Sequence, residues 1–217
     1  MLQVAHPLCP RSSLDAALLE ATRRAARGIV TSTANLWAEQ DAATAHTISP
    51  ASFASQLLVL TETGEVPWHL RMWQAPAARQ IHIGTTSKGT ERARARASPA
   101  WRAGIHAVPG LHEAPAGALA AAVPWFQRQF ELDSVSLEVG PTLLAPVLRT
   151  QHLAACALPL QWLAVSVLEP SQPLDHDVIG HPLCSVATLE VGWQWMYRAR
   201  QRTSEGVWVS RVGCRLA

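Results

Sequence analysis

Near the start of the chain a segment with helical spacing runs directly into a β-branched one, and this junction constrains the fold more than any other feature. Leu14, Leu18, Leu19, Thr22 and Ala26 recur at helical intervals behind Ser12-Ser13-Leu14-Asp15, which offers an N-cap, and Arg27-Gly28 can close the helix. Ile29-Val30-Thr31-Ser32-Thr33 follows at once and reads as a buried strand. Helix and strand then continue to alternate. Gln56 to Thr61 predicts a second strand, closed by Glu62-Thr63-Gly64-Glu65; Arg79 to Thr86 predicts a third and Arg102 to Val108 a fourth. Pro109 to Pro115 reads as a surface loop. Ala116 to Phe130 reads as a helix with Leu119, Val123, Phe126 and Phe130 on one face, followed by the short strand Ser134 to Glu138. Gly140-Pro141-Thr142 opens a helix through about Thr150, with proline where its missing N–H costs nothing. After the strand Leu160 to Leu168, the segments Val186 to Arg200 and Val207 to Leu216 alternate around Thr203-Ser204-Glu205-Gly206, as an antiparallel hairpin does. This order predicts an α/β fold whose sheet is mostly parallel, with a C-terminal antiparallel hairpin.

Composition narrows the class. With 217 residues, 48% of them apolar and 16% charged, a single globular domain over 1–217 is expected, not a disordered or fibrous chain. The apolar run Leu158 to Leu168 is broken by Pro159, Gln161 and Ser166, far short of a membrane span, and Met1 to His6 has no signal-peptide pattern. A cytoplasmic protein without membrane contact is the expectation. Cys9, Cys156, Cys184 and Cys214 are scattered, which argues against a disulfide framework and a zinc knuckle. A net charge of +2 points to no polyanion, so no nucleic-acid partner is expected, although every basic residue except Lys88 is an arginine.

Three strand ends carry the candidate site. At the first, a strand ending in Glu138 meets a helix starting at Pro141. Free N–H groups and the helix dipole favour an anion there, so Glu138, Val139, Gly140, Pro141, Thr142 and Leu143 read either as a phosphate cradle or as a plain strand-to-helix turn. At the second, Thr31 and Thr33 offer hydroxyls to a phosphate or form a polar loop. At the third, Thr85, Thr86, Ser87 and Lys88 gather hydroxyls and the chain's only lysine before Gly89, with Arg92, Arg94 and Arg96 nearby. A second phosphate contact and a solvated basic loop both fit that segment.

Four segments, in this order, resemble the NADPH-dependent pyrimidine reductases of riboflavin biosynthesis. Leu18 to Gln40 is similar to the family's helix, strand and loop ending in alanine-glutamate. Thr63 to Pro76 carries Thr63-Gly64-Glu65-Val66-Pro67-Trp68, similar to the family's threonine-glycine-acid-valine-proline-tryptophan. Arg79 to Thr86 matches the strand before a cofactor loop, and Val135 to Leu144 resembles a strand-ending glutamate-glycine-glycine-proline-threonine-leucine. The resemblance implies a three-layer dihydrofolate reductase-like fold, NADPH as cofactor, hydride transfer to a small pyrimidine or pterin-like substrate, and a homodimer. It also implies that residues 138–143, Thr31 and Thr33 line the cofactor, and that Thr85, Thr86, Ser87 and Lys88 surround the 2′-phosphate distinguishing NADPH from NADH. No catalytic acid or base is named by the sequence.

Some positions depart from that pattern. Val139 replaces a glycine, no glycine follows Thr31, and Leu160-Gln161-Trp162 replaces aspartate-glutamate-leucine. The family's first strand, with its serine-leucine-aspartate-glycine, has no counterpart before the first helix, where Ala16 follows Ser13-Leu14-Asp15. These departures leave open whether Met1 is the native start, and give as the alternative expectation a non-catalytic relative serving as a binding or assembly module. Asp175-His176-Asp177, His181 and Cys184 read as a polar surface loop without a metal, and Cys156 as a buried, unreactive thiol. Trp193, Trp195 and Trp208 suggest an aromatic hairpin face, either core or subunit interface.

Overall fold

Ile29 and Val30 are adjacent on one strand and therefore bury into opposite sides of a sheet, Val30 into one apolar cluster and Ile29 into the other. That division organises the whole molecule. The computed structural model describes residues 13–37, 56–74, 80–111, 115–151, 156, 158–170, 193–203 and 206–215. Its elements are α1 (Ser13–Ala25), β1 (Gly28–Ser32), β2 (Gln56–Leu60), β3 (Ile81–Thr85), α2 (Ser87–Arg96), β4 (Ile105–Ala107), α3 (Pro115–Phe130), β5 (Val135–Leu137), α4 (Pro141–Thr150), β6 (Trp162–Pro170), β7 (Trp193–Arg202) and β8 (Gly206–Arg215). Short 3-10 turns occupy Arg71–Gln74 and Pro99–Gly104, and the described residues 33–37 after β1 are helical.

Five strands form one sheet in the order β4-β3-β2-β1-β5, with every pairing parallel. Such a sheet must be covered on both faces. On one face Val30, Leu58 and Leu60 pack against Leu119, Val123 and Phe126 of α3 and Leu144, Val147 and Leu148 of α4. On the other, Ile29, Leu57, Val59, Ile81 and Ile83 pack against Ala93 of α2, Trp101, and the Val66–Trp73 segment. The layers are helix, sheet and helix, as expected. The second sheet is antiparallel, in the order β6-β8-β7, and Leu163 and Trp193 tie it to the α3 and α4 side of the core. Among the described residues β5 pairs only with β1, and β6 only with β8.

Three expectations change. Residues 87–96, for which a solvated basic loop is one of two sequence readings, are helix, because Thr86 caps the Gly89 amide at 3.0 Å and only the small residues Gly89, Thr90 and Ala93 are buried on it. The fourth strand is shortened to Ile105–Ala107, since Pro99 starts a 3-10 turn that buries Trp101. Trp208 lies on the opposite side of the hairpin from Trp193 and Trp195: those two oppose Arg215 and Gly213, so the even-numbered Trp208 points the other way. Trp193 and Trp208 are buried and Trp195 half-buried under Arg211, whose guanidinium sits 5.9 Å from its ring centroid. Residues 1–12, 38–40 and 171–192, with their cysteines, Asp175, His176, Asp177 and His181, lie outside the described residues. Among the described residues no helix is long and apolar enough to cross a membrane.

Candidate functional site

In a parallel sheet every strand delivers its following turn to the same end, the usual location of binding crevices in open α/β sheets. Here that end carries all three predicted segments. Their order along it follows the sheet: 138–143 after β5, Thr31 and Thr33 at the end of β1, and 85–88 at the end of β3.

Glu138 is the hinge of the first two. Its amide donates to the Val30 carbonyl at 2.7 Å, and its carbonyl accepts from Thr31 Oγ1 at 2.9 Å and from Asn35 Nδ2 at 2.8 Å. The turns after β1 and β5 are therefore fastened to each other. The Glu138 carboxylate is buried against Arg23 of α1, whose Nε lies 2.8 and 3.0 Å from its two oxygens. It ties α1 to the end of β5, and its charge is already paired within the fold. Val139 is likewise inside, at 1% exposure. Its side chain belongs to the core, which explains how valine is tolerated where the resembled family has glycine.

What this turn does present is the start of α4. Gly140 is its N-cap, no side chain caps it, and Pro141 fills the first position. The carbonyl of Gly140 accepts from the amides of Leu143 and Leu144, and Thr142 is exposed. An uncapped helix start next to an exposed hydroxyl can take a phosphate without displacing any side chain. A Cβ on Gly140 would come within 3.1 Å of Asn35 Oδ1, so glycine permits the close fit with the neighbouring turn.

The third segment is built differently. Thr85 is fully buried, its hydroxyl reaching the Glu62 carbonyl at 3.4 Å, and Thr86 Oγ1 also contacts that carbonyl, at 3.1 Å, while capping α2. Both hydroxyls serve the fold. Ser87 and Lys88 are exposed on the first turn of α2 and stay accessible to an anion. Gly64 and Gly89 make this arrangement possible: a Cβ at Gly64 would lie 2.0 Å from the Gly89 carbonyl oxygen, and Gly64 has a φ of +77°. Arg92 pairs loosely with Glu65 at 3.7 Å, and Arg94 donates to the Ile105 carbonyl at 2.9 Å.

Two residues of this frame escaped the sequence reading. Arg23 occupies the apolar stripe of α1, four residues after buried Leu19 and three before buried Ala26, and a charge in such a stripe signals a buried partner. Asn35 gave no comparable signal. Among the described residues no three metal-binding side chains come together.

No family model matches this sequence, and no curated protein matches it. Solved structures do. A pyrimidine reductase-like protein from Corynebacterium diphtheriae superposes with a TM-score of 0.56 at 12% identity, over 95% of this chain and 83% of that one. Acinetobacter baumannii RibD gives 0.58 at 10% identity, covering 99% of this chain but only 54% of RibD, so the present chain spans about half of that protein. The riboflavin biosynthesis reductase Rib7 of Saccharomyces cerevisiae gives 0.52 at 13% identity, over 98% and 82%. At such identities the likeness is one of architecture: the chain has the dihydrofolate reductase-like α/β fold shared by these three structures.

Proposed function

We propose that this protein is an NADPH-dependent reductase that delivers hydride to a pyrimidine or pterin-like ring. The observation that carries this reading is the uncapped start of α4 at Gly140, set at the carboxyl end of β5 and fastened through Asn35 and Thr31 to the turn after β1. The arrangement suits a dinucleotide, since amides at Gly140 and Thr142 and the Thr142 hydroxyl would hold the pyrophosphate, and Ser87 and Lys88 the 2′-phosphate. NADPH supplies the hydride when bound. The protein's part is to fix the ring geometry and exclude water, which needs few acids or bases. Glu138, Val139, Thr85 and Thr86 support the frame from behind. Riboflavin-pathway chemistry, a cytoplasmic location and a homodimeric state belong to the same reading, and the reductases named above share its fold.

A second reading has its own support. The Thr31 hydroxyl and the Glu138 carboxylate are both taken up internally, as a binding or assembly module that has left catalysis would show. Titrating the protein with NADPH while following tryptophan fluorescence separates the two. Saturable quenching at micromolar cofactor is expected for the reductase, and no change at millimolar NADPH would leave the module.

A further inference from the structure

Between β5 and β3, whose following turns the reductase reading gives to phosphates, lie β1 and β2. Their carboxyl ends are not bare. The helical segment after β1 carries Trp37, 44% exposed, and the turn after β2 carries exposed His69; their ring centroids are 5.4 Å apart, tilted by 44°. Both rings sit on fixed backbone. Leu36 and Leu70, the chain neighbours of Trp37 and His69, are completely buried in the same apolar cluster. Asn35 is bonded to the Glu138 carbonyl, and the Leu70 amide to the Pro67 carbonyl at 3.1 Å.

We propose that Trp37 and His69 form the stacking platform for the adenine ring of the dinucleotide. The inference rests on the reductase reading and deepens it. The pyrophosphate and the 2′-phosphate are attached to one ribose. If α4 takes the first and Lys88 the second, that ribose lies over β1 and β2, and its adenine, joined at the next carbon, comes within reach of the rings presented there. The nicotinamide is on the far side of the pyrophosphate and does not meet them. Stacking of a base on an aromatic side chain is strong enough to be read as an affinity change.

The test uses two halves of the cofactor. Adenosine 2′,5′-bisphosphate carries the adenine and nicotinamide mononucleotide does not; each is titrated calorimetrically, beside NADPH, into the wild-type protein and the Trp37→Ala, Trp37→Phe and His69→Ala variants. Trp37→Ala should weaken the bisphosphate and NADPH roughly tenfold and leave the mononucleotide unchanged, with Trp37→Phe recovering most of the loss. Trp37 is largely at the surface, so the folded state should survive, which circular dichroism checks. Equal bisphosphate binding by wild type and by both alanine variants would overturn the platform while NADPH binding upheld the reductase reading. Failure of the wild type to bind NADPH would overturn both.

Discussion

Arg23 and Glu138, 115 positions apart, form a two-pronged ion pair almost sealed from water, with the guanidinium Nε 2.8 and 3.0 Å from the carboxylate oxygens. Removing one member of such a pair leaves an uncompensated buried charge, which costs about 3–5 kcal/mol. Arg23→Met should therefore lose that much stability in urea denaturation, and Arg23→Met with Glu138→Leu should regain most of it. Equal stability of wild type and the single variant would show that the pair contributes nothing.

The contact between Gly64 and Gly89 predicts a second stability effect. A methyl group at Gly89 would fall 2.0 Å from Thr85 Oγ1, and Gly64 adds a left-handed backbone to an equally close approach. Gly64→Ala and Gly89→Ala should each lower stability by about 1–3 kcal/mol, measurable as a fall in Tm. Gly104→Ala serves as the comparison: its Cβ would meet only the Ile81 carbonyl, at 3.1 Å, and the shift should be smaller.

His82 and His106 give the fold a pH dependence. Gln56 Oε1 is an acceptor 2.8 Å from His82 Nε2, so that nitrogen carries the proton and Nδ1 accepts from His106 Nε2 at 3.3 Å. Burial, and secondarily the charge of His106, holds His82 down to about 4; burial and then Arg94 lower His106. Both are neutral in the folded state at pH 7. The unfolded chain therefore binds more protons below its ordinary histidine value, so stability is full above about pH 6.5 and declines as pH falls toward about 4. His82→Gln should flatten that decline in urea midpoints measured between pH 7 and pH 4.5, and an unchanged slope would assign it to other groups.

Trp162 at 61%, Met196 at 62% and Tyr197 at 49% exposure leave apolar surface on the three-stranded sheet. The register sets Trp162 beside Cys214, and Tyr197 beside Val212 two residues further along, so the rings share one face. A patch of this kind suits a subunit interface. Light scattering should find a dimer for the wild type and a monomer for Trp162→Ser with Tyr197→Ser; a monomeric wild type would remove the homodimer from the proposal.

The parts of the fold legible in the sequence were those whose packing is apolar and periodic. Leu19 and Ala26 mark the buried stripe of α1, Ile29 and Val30 face both layers as a parallel strand requires, and Gly140-Pro141 marks the start of α4. α2 was illegible for the opposite reason. It meets the sheet through Gly89, Thr90 and Ala93, which carry almost no hydrophobic signal, while its arginines suggested a loop. The role of Glu138 was hidden because its partner is remote in the chain. Spacing could place the carboxylate at a strand end, yet only Arg23 decides that it turns inward.

The backbone contact between Gly64 and Gly89 has one more result. With no side chain between them, the loop bearing Trp68 and His69 cannot slide without carrying the leading coil of α2, Lys88 included. Whatever docks on one is felt mechanically at the other, so this rim of the sheet should respond to an occupant as a single stiff part.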